Sequence, residues 1–168
     1  MTKYYDTTVA DLKIRTATEK DTSAILEFIK GLAEYENMSD EVVATEEMLH
    51  DSLFIKKQAE VILAEYKDEP IGFALFFHNF STFLGKANLY LEDLFVKPEA
   101  RGLGAGKVLL TCLAKIAVER DCGRLDWLCL DWNKSSIDLY IKLGAKPLSE
   151  WTVFRVEGQA LQDLANKL

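Results

Sequence analysis

From residue 101 to 107 the chain reads Arg101-Gly102-Leu103-Gly104-Ala105-Gly106-Lys107, with the apolar run Leu89 to Val96 (LYLEDLFV) before it and a stretch of helical period after it. Three alternating glycines at the mouth of a helix need a physical reason, because an interior glycine costs a helix roughly 1 kcal/mol relative to alanine. The reason is a sharp turn whose backbone is approached closely. Amides left unpaired at a helix N-terminus point outward and the helix dipole adds positive partial charge, so the natural guest is a phosphate. A Walker loop requires G-x-x-x-x-G-K-[ST], but Lys107 follows Gly102 by five positions and Val108 stands where the hydroxyl belongs. A dinucleotide fingerprint built on Gly102 and Gly104 requires glycine at 107, and antiparallel strands precede the loop instead of a βαβ unit.

Working outward, Pro98 ends the strand before the loop, and Ala59 to Tyr66 and Ile71 to Phe80 form two further apolar runs separated by the turn residues Lys67-Asp68-Glu69-Pro70. Three antiparallel strands in succession are expected. Upstream, Leu12 to Thr18 alternates as a strand, and Ile25, Phe28, Ile29, Leu32 and Ala33 make one helical stripe that Asp21 can cap and Gly31 weakens. Thr45 begins a shorter helix through about Ser52. Downstream, Val108, Leu109, Cys112, Leu113, Ile116 and Ala117 mark a helix from about Gly104 to Arg120. A strand at Arg124 to Leu130, a helix at Lys134 to Lys142, a strand near Trp151 to Glu157 and a short C-terminal helix follow. The pattern predicts an α+β fold, antiparallel N-terminal strands in a central mixed sheet with helices on both faces, as a single domain over 11–168 behind a loose arm of residues 1–10.

The 168 residues carry 20 Lys+Arg against 27 Asp+Glu, a formal charge of −7, which points away from nucleic acid as a partner. The longest apolar stretch, Ile71 to Phe77, is far short of the ~20 residues that cross a bilayer, so no membrane partner is expected. The N-terminus lacks the apolar core of a secretory signal, and the cytoplasm is the expected location. Cys112, Cys122 and Cys129 have no zinc or redox spacing, and His50 and His78 no metal spacing, so no metal is expected.

What does fit the loop is R-x-x-G-x-G, as Arg101, Gly104 and Gly106. Here the sequence resembles the GNAT superfamily of acetyl-CoA-dependent N-acetyltransferases, whose pyrophosphate loop has the form [QR]-x-x-G-x-[GA]. The resemblance covers about residues 12 to 160. It is most similar to the spermidine/spermine and thialysine acetyltransferase group, through Tyr35-Glu36, Leu91-Glu92-Asp93 and Trp132-Asn133. It implies that main-chain groups of Leu94, Phe95 and Val96 pair with the pantetheine arm of acetyl-CoA, and that the amides of Gly102, Leu103, Gly104, Ala105, Gly106 and Lys107 take the pyrophosphate with the Arg101 cation beside it. Asn133, Lys134, Ser135 and Ser136 would line the other side of the cosubstrate, with Asn133 also able to cap its helix. Members of the group are commonly homodimers, and the resemblance implies the same assembly here.

A lysine-like amine has a pKa of about 10.4, so roughly one molecule in a thousand is nucleophilic at pH 7 and a base must take its proton. Glu92 is the expected base, directly or through water, with Asp93 the alternate, since neighbours on a strand face opposite sides. Tyr140, at the helix position where the family places a tyrosine acid, would protonate the departing thiolate, and the Leu94 amide would steady the oxyanion. Tyr35, Glu36, Glu92 and Asp93 suit a cationic acceptor, a diamine, polyamine or thialysine-like amine. Two readings stay open beside this one: a protein or peptide amine acetyltransferase, and a non-catalytic acyl-CoA-binding protein.

Overall fold

Lys67 and Asp68, at φ 52° and 66°, close a two-residue turn, the geometry whose twist matches the strands of a hairpin. Of the strands it joins, β3 (Glu60–Tyr66) keeps nearly the expected bounds and β4 (Glu69–Ser81) runs longer at both ends than the sequence pattern suggests, with Pro70 absorbed opposite Glu65, where the register shifts. The computed structural model describes residues 2–168. Around this hairpin stand β1 (Tyr4–Tyr5), β2 (Leu12–Thr16), β5 (Lys86–Val96) and β6 (Leu125–Trp127), in the order β1-β2-β3-β4-β5-β6. All neighbours are antiparallel except β5 and β6, which are parallel, so the sheet is mixed as expected. Within the expected N-terminal arm, Tyr4 and Tyr5 pair with Arg15 and Ile14.

Helix α1 (Thr22–Tyr35) packs Ile25 and Phe28 on Val61, Leu63, Phe73 and Phe95 of one sheet face, with Leu53 joining the cluster. Helix α3 (Ala105–Glu119) covers the other face. Its Gly106 lies nearest Leu94 and Val96, whereas Gly31 of α1 abuts Phe95, and adjacent strand residues point to opposite sides. Leu109, Leu113 and Ile116 of α3 are fully buried there. A short helix α2 (Glu46–His50) is capped by Thr45, whose hydroxyl accepts from the Met48 amide at 3.2 Å, and it continues into a π-helical turn, Asp51–Ile55.

Asp21 departs from its expected role. It stands before α1, but its carboxylate makes no cap bond to that helix and is held instead by the Arg15 guanidinium and by Thr18. A charged, bidentate partner outcompetes a single neutral amide.

The chain forms two compact units, one ending at Leu128 and one from Cys129 to Leu168. In the second, α4 (Lys134–Lys142) begins at Asn133 and ends before Gly144, whose φ of 94° suits only a residue without a side chain; α5 (Gly158–Ala165) closes the chain. The strand expected near Trp151 to Glu157 is not formed. Residues 151–157 carry no regular structure, because alternation specifies a strand only where a neighbour supplies hydrogen bonds.

Candidate active site

β5 carries a bulge among the expected site residues. Leu75 stands opposite Asp93 and the next residue, Phe76, opposite Leu91, which leaves Glu92 as the extra residue. The expectation that Glu92 and Asp93 simply alternate is thus modified by an insertion that interrupts the period of two. The parallel ladder to β6 stops at the same place, since β6 pairs with Leu89, Tyr90 and Leu91 and goes no further.

Beyond the bulge β5 has an open edge. The Lys97 amide donates to the Ile71 carbonyl at 2.8 Å, which sets the phase of the β4–β5 ladder. With that phase Asp93 and Phe95 turn their main-chain groups toward β4, while Leu94 and Val96 turn theirs to the side that β6 no longer lines. From that side the Arg101 side chain donates to the Val96 carbonyl at 3.4 Å. Of the three strand residues expected to pair with pantetheine, Leu94 and Val96 thus turn their main-chain groups to the open edge, and Phe95 turns its own toward β4.

The loop that follows matches its sequence logic. Gly102 and Gly104 adopt φ of 88° and 81°, a region that side chains rarely enter, and Gly104 leads directly into α3 with no side chain capping it. The first free amides of α3, at Ala105, Gly106 and Lys107, therefore face outward with the positive end of a 15-residue helix behind them. A pyrophosphate fits such a terminus. Arg101 itself lies over the Tyr35 ring, 4.9 Å from its centroid, so the tyrosine expected to meet the amine substrate also holds the loop cation.

Three carboxylates lie near the bulge. Burial raises the Asp93 carboxyl from 3.8 to about 6, and the charges of Glu92 and Glu36 push the same way. Burial also raises Glu36, at the C-terminal end of α1, and Tyr90, the latter with help from Glu92 and Asp126. Negative charge concentrated where ionisation is already unfavourable is relieved by a cation. Tyr90, whose ring lies 5.1 Å from that of Phe77, escaped the sequence reading, because a half-buried strand aromatic reads as packing.

In the second unit the Asn133 side chain accepts from the Ser136 amide and the Ser135 hydroxyl, both at 3.4 Å, so its capping role is formed. Lys134, Ser135 and Ser136 make the first turn of α4, and Tyr140 lies half-buried in its second half. An open cleft of about 830 Å³ elsewhere on the first unit is lined by Arg15, Thr18, Asp21, Lys57 and Glu65 among others and by none of the expected site residues. Among the described residues no cluster of His, Cys, Asp and Glu is arranged to hold a metal ion, and no helix is long and apolar enough to cross a membrane.

The sheet, its split last ladder and the glycine turn define an acyl-transfer fold, and comparison with known proteins agrees: the model of the Acetyltransferase (GNAT) family matches residues 26–145, and the chain belongs to that family. It is an N-acetyltransferase, an enzyme of the acyltransferase class whose family uses acetyl-CoA as cosubstrate. It is 40% identical over 171 residues to the thialysine N-epsilon-acetyltransferase of Bos taurus, covering 95% of this chain and 100% of that protein. It is 31% identical over 196 residues to the L-ornithine N5-acetyltransferase of Arabidopsis thaliana, with 89% and 86% covered. Among solved structures, an integron cassette protein from the mobile metagenome of V. cholerae superposes with a TM-score of 0.77 at 30% identity, over 92% of this chain and 98% of that one.

Proposed function

We propose that the protein moves an acetyl group from acetyl-CoA to the primary amine of a small cationic substrate, a diamine, polyamine or thialysine-like compound, by direct attack while both are bound. The observation that carries the reading is the uncapped N-terminus of α3 behind Gly102 and Gly104, following a β5 edge whose Leu94 and Val96 main-chain groups face outward. The edge would pair with the pantetheine amides and the helix terminus would take the pyrophosphate, which directs the thioester toward the bulge. Asp93, more basic than an ordinary carboxylate and still roughly nine-tenths ionised at pH 7, is the better-matched proton acceptor, with Glu92 and Glu36 binding the substrate's positive charge. Tyr140 protonates the departing thiolate, a role that rests on the resemblance. The names of the thialysine and ornithine acetyltransferases support a small amine as acceptor.

One acetyltransferase domain spans both compact units on this reading, supported by a family match that crosses the boundary at Leu128. The same reading makes the protein a cytoplasmic homodimer needing no metal. Light scattering tests the second copy as partner and should return twice the chain mass.

Acetyl-CoA at a hundred times its Kd should stabilise the fold by about 2.7 kcal/mol and raise Tm by several degrees, whereas ATP and NAD should not. Equal shifts, or none, would remove the cosubstrate assignment. Thiol release with a panel of diamines, thialysine, ornithine and lysine peptides then identifies the acceptor, and preference for peptides would displace the small-amine reading. Tyr140→Phe should lower kcat about a hundredfold with little change in acetyl-CoA affinity, and wild-type turnover would end its assigned role.

A further inference from the structure

Three glycines from three different elements converge on the same short piece of β5. A Cβ on Gly31 of α1 would lie 2.8 Å from both Cε1 and Cζ of the Phe95 ring. One on Gly72 of β4 would lie 2.6 Å from the Phe95 carbonyl oxygen and 3.1 Å from Val96 Cα. Gly106 of α3 has only ordinary neighbours there, Leu94 Cδ2 at 3.7 Å and Val96 Cγ2 at 3.9 Å. Real Cβ atoms do not approach as closely as the first two would, so α1 and β4 each sit as near to residues 95 and 96 as a missing side chain allows.

The Phe95 ring has little room to yield. It is 7% exposed and packs at a tilt on Phe28, 6.4 Å between centroids, and Phe28 stacks in turn on Phe73 at 5.5 Å. Phe95 also lies in sequence between Leu94 and Val96, the two residues whose main-chain groups face the open edge. Displacing the ring therefore moves that edge. Glycine within α1 works against the helix, where alanine is the better former, so its place there answers to the contact with the Phe95 ring.

We propose that Gly31, with Gly72 behind it, is a positioning residue for the acyl-CoA-binding edge: by omitting a side chain it seats the Phe95 ring against α1 and so fixes where Leu94 and Val96 present their main-chain groups. The inference rests on the cosubstrate reading above and adds a determinant on a helix that does not itself line the cosubstrate.

The test is a double-mutant cycle of Gly31→Ala and Phe95→Leu, measured as KM for acetyl-CoA, KM for the amine and kcat, with acetyl-CoA binding followed by calorimetry. Gly31→Ala in the natural background should raise KM for acetyl-CoA on the order of tenfold or more, because a displacement of about an ångström at a reacting geometry is costly, while KM for the amine changes little. In the Phe95→Leu background, where the ring atoms that the new methyl meets are gone, the same substitution should change KM for acetyl-CoA less than about twofold. Equal effects in the two backgrounds, no effect in either, or loss of fold in Gly31→Ala that Phe95→Leu does not reverse would each overturn the proposal. Failure of the wild-type protein to bind acetyl-CoA would overturn the cosubstrate reading and this inference together, whereas normal wild-type binding with an indifferent Gly31→Ala overturns this inference alone.

Discussion

Asp93→Asn should abolish most of the activity while making the protein more stable at neutral pH. Loss of a positioned base lowers kcat/KM by about a hundredfold to ten-thousandfold. The stability sign follows from the raised carboxyl. The folded protein holds the Asp93 proton up to about pH 6, against 3.8 for the ordinary group, so its ionised form costs the fold up to about 3 kcal/mol at pH 7. This group's contribution to stability is complete below pH 3.8 and is lost as pH rises through 6. Asparagine has no such loss. Urea unfolding at pH 5 and pH 7 should therefore show the variant gaining on the wild type between the two, and the acid limb of kcat/KM near pH 6 should vanish with it. An asparagine variant that is as active as the wild type, or less stable at pH 7, would show that Asp93 is an ordinary structural acid.

Arg15→Met should cause the largest loss of stability with the least effect on chemistry. The Arg15 guanidinium donates twice to the Asp21 carboxylate, both at 2.8 Å, and once to Glu65 at 2.7 Å, with the side chains 12%, 11% and 12% exposed. Removing the cation strands two carboxylates in a poorly hydrated place, which costs about 3–5 kcal/mol and lowers Tm by roughly 10 °C. Burial pushes the Asp21 carboxyl up, but the bonds from Arg15 and Thr18 outweigh it and hold the group below its ordinary 3.8. Its stabilisation is therefore present above about pH 4 and lost as pH falls further, so the gap between variant and wild type should narrow in acid. Denaturant unfolding at pH 7 and pH 3.5 measures this. A loss under about 1 kcal/mol at pH 7, or a gap that widens in acid, would show the cluster to be a surface ornament; kcat should stay near wild type because none of the three residues belongs to the expected site.

The glycine turn was legible for a local reason. A helix terminus, its glycines and the strand before it are consecutive in the chain, so Arg101 to Lys107 carried the information in its spacing, and Gly102 and Gly104 adopt the backbone conformations that spacing requires. The Asn133 cap and the bounds of α4 were local in the same way. Gly72 was a different case: glycine inside a strand pattern signals close backbone approach, but which backbone it meets is not in the pattern. The bulge at Glu92 left no mark at all, because an extra residue is defined only against the partner strand. Tyr90 and the Arg15 cluster were hidden for the same reason, each depending on residues far away in sequence.

By itself the amino-acid order determined the central strands β2 to β5, the helices α1, α3 and α4 and the glycine turn with its bare amides, since period and spacing are properties of neighbours along the chain, while the family was legible only through the resemblance of its motifs. Tertiary structure alone decided that Glu92 would be squeezed out of register, that Asp93 would be partly buried within reach of the charges of Glu92 and Glu36, and that Phe95 would be pinned between glycines. Those outcomes depend on desolvation and on which distant backbone lies within hydrogen-bond reach, quantities that exist only once the sheet has closed on its helices.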